Sequence, residues 1–201
     1  MAQSPEIDRF MQNVTVRIPG ALDSMIRMEM FNVLDVFCRE TNAWQEDIPL
    51  EVNSTDTEYD IDPEEYRGQI IRLLGVTVDG AGTSLNIWMP SPDKIKFSSP
   101  PQPTSAYVAT VALSVIDPVN PGDSLPEVPD WFFTRYFQDL LDGILYRMMG
   151  QPLKPYSSPQ GVLFHGRQWR SALSQIKAEI EAKNTYGAQT WRFPAFAQCR
   201  K

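Results

Sequence analysis

The feature that most constrains this chain is a double switch in hydrophobic period. Apolar residues recur every three to four positions near the start, alternate in the middle, and return to the helical spacing near the end. In the first stretch Leu22, Met25, Ile26, Phe31, Leu34, Phe37 and Cys38 share one face, while Asp23, Arg27, Asp35 and Arg39 mark another. That spacing predicts an amphipathic helix over 21–42, ending at Thr41-Asn42 and followed by a turn at Asp47-Ile48-Pro49. From 48 to 116 the period is two. Thr57, Tyr59 and Ile61 alternate with Glu58, Asp60 and Asp62, a strand with an acidic face. Ile70–Val78 is rich in β-branched residues, and Asp79-Gly80-Ala81-Gly82 reads as a hairpin turn into Ser84–Met89. Lys94–Phe97 and Tyr107–Ile116 complete four or five strands, enough for a small antiparallel sheet. Proline-rich loops are expected at Pro90–Pro92, Ser98–Pro103 and Asp117–Pro129.

The helical period then resumes. Phe133, Tyr136, Phe137, Leu140, Leu141, Ile144, Leu145 and Met148 form a broad stripe over 130–150, opened by Pro129-Asp130 and closed by Gly150 and Pro152. Gly143 in mid-helix costs about 1 kcal/mol relative to Ala, and close approach of another helix is a reason to keep it. A third helix over 161–183 uses Val162, Phe164 or His165, Trp169, Leu173, Ile176 and Ile180. The fold class expected is α+β: a bundle of about three helices with a small antiparallel sheet inserted at 48–116.

Composition narrows the class further. With 42% hydrophobic residues in 201, a real core can form, and the 17 prolines point to long connections. No run of about 18 apolar residues exists to span a membrane. Residues 1–10 include Glu6 and Asp8 and lack an apolar core, which is not the pattern of a signal peptide. Cys38 reads as a small buried hydrophobe and Cys199 as a residue of a polar tail, so no disulfide framework is expected.

Charge is segregated. Ten acids and no Lys or Arg lie between Glu40 and Glu65, whereas Lys183, Arg192, Arg200 and Lys201 follow the last acid, Glu181. A net −7 overall therefore divides into −11 over 1–181 and +4 beyond. Different partners at the two places are implied. The final segment, 184–201, has no period. It is nonetheless aromatic, with Tyr186, Trp191, Phe193 and Phe196.

Catalytic patterns are scarce. The single histidine, His165, has no nucleophile near it in sequence and reads as structural. One His and two distant Cys make no zinc cluster. Asp56, Glu58 and Asp60 resemble the start of a calcium loop, but Ile61 stands at the required Gly and Arg67 at the required Glu. Among so many acids some carboxylate pair is inevitable, so a hydrolase reading has little specificity. No phosphate-cradling glycine pattern occurs, and net acidity argues against gripping DNA. The chain reads as no enzyme, with no cofactor and no metal.

Several segments together resemble the head-to-tail adaptor family of tailed phages, the tail tubular protein A type of short-tailed phages. They are Ile18-Pro19-Gly20-Ala21, Phe37-Cys38-Arg39-Glu40-Thr41-Asn42-Ala43-Trp44, Leu125-Pro126 with Pro129-Asp130-Trp131, Gly143–Met148, Gln151–Ser157, and Trp191-Arg192-Phe193-Pro194-Ala195-Phe196. They span nearly the whole chain in the family's order, and the sheet region matches only in outline. The resemblance implies one adaptor domain over 1–183, helices from both ends packed together, and a ring, usually twelve-fold, below the portal. Such a protein sits in the virion neck after assembly in the host cytoplasm. Its partners are the portal, a downstream tail or nozzle protein, and double-stranded DNA passing without sequence preference. The segment 184–201 then becomes an extended arm. Trp191, Arg192, Phe193, Pro194, Phe196, Arg200 and Lys201 would dock on the portal or a neighbouring subunit. Glu58, Asp60 and Asp62 would either line the channel and repel DNA or face a basic surface of the tail. A small acidic protein-binding module remains the alternative.

Overall fold

In the computed structural model, residues 5–63, 68–82, 86–116 and 125–183 are described. The chain is α+β, with four helices and two small antiparallel sheets. The helices are α1 (Pro5–Arg17), α2 (Asp23–Thr41), α3 (Asp130–Met149) and α4 (Pro159–Lys183). The last three follow the spacing of their apolar residues. The first adds a fourth helix ahead of Pro19-Gly20. Ile7, Phe10, Val14 and Ile18 recur at three- to four-residue steps and are all buried, and Glu6 and Asp8 lie in the first turn where the helix dipole favours them. Only one face of this short helix is apolar, so its stability comes mainly from docking on α3 rather than from its own propensity.

α3 is the axis of the bundle. Phe132, Phe133, Tyr136, Leu140, Leu141, Ile144, Leu145 and Met148 are buried by neighbours on three sides. From α1, Phe10 packs at a tilt on Phe133 at 5.2 Å and edge-on on Phe137 at 5.3 Å. From α2, Phe37 meets Phe132, Tyr136 and, from α4, Trp169, with ring centroids 5.0–5.8 Å apart. At Gly143 both α2 and α4 approach α3 closely. A Cβ there would sit 2.9 Å from both Val33 Cγ1 and Trp169 Cε3. The close approach expected at that glycine is therefore present. Gly166 does the same from α4, its missing Cβ leaving room for the Tyr146 ring.

α2 ends at Asn42, whose φ of 52° lets its N–H reach Cys38 O at 2.8 Å. The chain then enters a strand where a turn was expected. Asp47-Ile48-Pro49 belongs to β1 (Gln45–Leu50), paired antiparallel with β7 (Tyr107–Val115). Proline is tolerated because β1 is an edge strand, with no further neighbour needing an N–H. Thr110 Oγ1 donates to Asp47 Oδ1 across this pair at 2.6 Å.

The first sheet runs β1-β7-β3-β4, with β3 at Gly68–Val78 and β4 at Ala81–Gly82. β7 is central and buried along nearly its whole length on both faces. The hairpin is tighter than expected. Asp79 and Gly80, with φ of 50° and 80°, form a two-residue turn directly into β4. Asp79 also accepts the Ala106 N–H at 2.9 Å, which ties the turn to the start of β7. The strand that follows leaves this sheet. β5 (Ile87–Ser91) pairs with β6 (Lys94–Phe97), and β6 pairs with β2 (Glu58–Asp60), giving the order β2-β6-β5. Two sheets thus stand where one was expected. Pro90, expected in a loop, lies in the edge strand β5 for the reason that admits Pro49 in β1.

Aromatic edges join the layers. Tyr107 of β7 meets Phe97 of β6 at 5.7 Å, which packs one sheet on the other, and Phe97 meets Tyr59 within its own sheet at 5.6 Å. On the bundle side, Ser114 Oγ of β7 donates to Asp35 Oδ1 of α2 at 2.7 Å.

Candidate interaction surfaces and the single histidine

The acidic strand does not stand alone. Register places Glu58 opposite Lys96 and Asp60 opposite Lys94. Lys94 Nζ lies 3.4 Å from both Glu58 and Asp60, and Lys96 Nζ lies 3.7 Å from Glu58. Hydrogen bonding to Glu58, then the Asp60 charge, pushes the Lys94 ammonium pKa up. These groups are largely exposed, so the pairs contribute little stability. Their effect is on charge: two carboxylates meet two ammoniums, and the strand presents little net field. Lys94-Ile95-Lys96 is visible in sequence, but its pairing with Glu58 and Asp60 depends on strand register.

Further acidity lies beside the strand. Glu51 and Asp62, together with the Lys94-paired Asp60, line an open cleft of about 380 Å³, with Pro49, Tyr59 and Pro63 as its less polar walls. The adjoining turn is satisfied internally. Asn53 Oδ1 accepts the Asp56 N–H at 2.7 Å, and the Tyr59 hydroxyl donates to the backbone at Asn53 and Asp56. Among the described residues no group of three or more His, Cys, Asp or Glu is placed to hold a metal ion.

His165 sits where α4 crosses α3. Its Nδ1 lies 2.7 Å from Asp142 Oδ1, and both side chains are nearly buried. Gln138 Nε2 donates to the other Asp142 oxygen at 3.3 Å. Of the two helical positions left open in sequence, His165 faces inward and Phe164 is 59% exposed. An imidazole oriented by a carboxylate is half of a nucleophilic constellation. The pair bridges α4 and α3 as a polar clamp between the helices. Nearby, burial raises the Asp139 pKa, with Asp142 and Glu179 adding to it. Cys38 is fully buried, and burial followed by the Asp35 charge pushes its thiol far up, which makes it a poor nucleophile.

A second interhelical clamp joins α2 to α3. Glu29 is buried and takes the Arg147 guanidinium, with Asn32 donating to the same oxygen at 3.3 Å. Above it, the α1–α2 turn packs on the α3–α4 loop. Gly20, at φ 86°, would place a Cβ 3.4 Å from Pro155. Two of the adaptor-like segments, Ile18–Ala21 and Gln151–Ser157, therefore meet in space although about 130 residues separate them in sequence.

The expected docking residues Trp191, Arg192, Phe193, Pro194, Phe196, Arg200 and Lys201 lie outside the described residues. No helix among those described is long and apolar enough to cross a membrane. Compared with known proteins, the chain matches no protein-family model and no curated protein.

Proposed function

We propose that this chain is a structural virion protein that joins the portal vertex of a phage capsid to the tail as an oligomeric ring around the DNA passage. The observation that carries the reading is the placement of the adaptor-like segments at the joints of the bundle. Ile18–Ala21 seats on Gln151–Ser157 through Gly20 and Pro155, and Gly143 lies under Val33 and Trp169. Helices from both ends of the chain pack on one another, with the sheets between them in sequence. The proposed ring presents the segment 184–201 as an arm, its aromatics filling pockets and Arg192, Arg200 and Lys201 meeting acidic groups on the portal or a sister subunit. Ordering such an arm costs on the order of 1–2 kcal/mol per residue, so several aromatics must be buried, and repetition around a ring multiplies a modest affinity.

The ion pairs of Glu58 and Asp60 favour one of the two roles for that surface. A strand whose charge is balanced by Lys94 and Lys96 is a weak repellent for DNA. The cleft lined by Glu51, Asp60 and Asp62 suits a basic segment of the next tail protein. The same cleft is what favours the second reading, an acidic protein-binding module with no ring.

The test is to mix the purified chain with its portal and image the product by electron microscopy. A collar of subunits on the portal is expected, and deletion of 190–201 should leave a folded protein that no longer attaches. Absence of any portal complex would defeat the adaptor reading, and undiminished attachment of the truncated chain would defeat the arm.

A further inference from the structure

We propose that copies of this chain join head to tail, the outer face of α4 in one copy seating in the groove between α1 and α2 of the next. The proposal rests on the ring reading above and names its subunit contact. Among the described residues the outer face of α4 is an unpartnered stripe. Leu163, Arg167, Arg170, Ser174 and Lys177 follow one another at steps of four and three, all exposed, with Phe164 beside them. No acid occurs in α4 before Glu179, so this face is apolar at its N-terminal end and basic beyond it.

The groove has the matching chemistry. It is an open channel of about 550 Å³ between α1 and α2, with Met11 and Val16 as apolar wall and Asp23 as the carboxylate offered to the basic face. Val16 is 80% exposed, and Leu22, next to Asp23, is 65% exposed. Arg27 also lines the groove.

Placement makes the contact head to tail. The groove is built by α1 and α2 and the stripe by α4, so the two are unlike patches on different elements. Two unlike patches that fit each other generate a heterologous interface, which closes into a ring when the rotation allows. The apolar pairs exclude water, and the charges steer and register the contact.

Cysteine cross-linking tests this on the full chain, alone and with portal, in a Cys199→Ser background. Cys38 is buried and does not compete. Val16→Cys copies mixed with Leu163→Cys copies should give a mixed disulfide dimer in excess over either like dimer. Both substitutions in one chain should give a ladder of covalent oligomers. Arg167→Glu with Arg170→Glu should reduce the ladder by about tenfold or more, because like charges then face each other. Only like dimers, no cross-link at all, or a ladder indifferent to the charge reversal would overturn the contact. So would binding of duplex DNA that is lost on the same reversal while no ladder forms. Portal attachment without a ladder retires this contact and leaves the adaptor, whereas a ladder without portal attachment does the reverse.

Discussion

Replacing Gly143 with alanine sets two effects against each other at one atom. In an isolated helix the change is favourable by about 1 kcal/mol, because alanine loses less backbone entropy. Here the new methyl would lie 2.9 Å from Val33 Cγ1, 2.9 Å from Trp169 Cε3 and 3.0 Å from Trp169 Cζ3. Neither neighbour yields easily. Valine is stiff at χ1, and the indole is held against Phe37 in the aromatic cluster. Overpacking of this kind costs about 1–3 kcal/mol, so the net expectation is destabilisation by up to about 2 kcal/mol. For a domain of this size that lowers Tm by up to roughly 8 °C. Urea denaturation of wild type, Gly143→Ala, Val33→Ala and the double variant measures it. The double variant should be more stable than the sum of the single changes predicts, since trimming Val33 opens one side of the clash. Additive effects, or a Gly143→Ala protein more stable than wild type, would refute the idea that helix contact is what keeps this glycine.

Two further expectations concern the α3–α4 junction. His165→Ala leaves buried Asp142 with Gln138 as its remaining partner, and should lower stability by about 1–3 kcal/mol in urea denaturation. Asp139 sets a pH dependence. Burial, then the charges of Asp142 and Glu179, raises its pKa in the folded state, so the folded chain holds this proton at pH values where the unfolded chain has released it. Its contribution to stability therefore falls as pH rises from the unfolded pKa through the folded one, and recovers on acidification. Asp139→Asn should be more stable than wild type at neutral pH, with the difference shrinking toward the unfolded carboxyl pKa. A difference that grows as pH falls would contradict this sign.

Much of the helical part was legible because burial follows period. The stripe from Phe133 to Met148 is buried apart from the half-buried Phe137, and Trp169, Ile176 and Ile180 face the core as spaced. The helix missed, Pro5–Arg17, carries the same signal in Ile7, Phe10, Val14 and Ile18, but spread thinly over a short polar stretch. Prolines misled twice, at Pro49 and Pro90. Residue type alone cannot say whether a strand is central or at an edge, and at an edge the missing N–H is harmless. The acidic strand was found, but its ion pairs were not legible, because Lys94 and Lys96 become its neighbours only through antiparallel register. The proposed groove had no sequence signal at all, since it is the space between two helices.

By itself, then, the sequence determined the period of each segment, the segregation of charge along the chain, and the helix boundaries at Asn42 and Asp130. These are local properties, set by side-chain spacing and by backbone conformations that neighbouring residues prefer. The tertiary structure decided which strand lies at an edge, which carboxylate finds an ammonium, that His165 rather than Phe164 turns inward to Asp142, and that Gly143 lies beneath both Val33 and Trp169. Those outcomes depend on residues tens to more than a hundred positions apart, brought together only when the apolar faces bury one another.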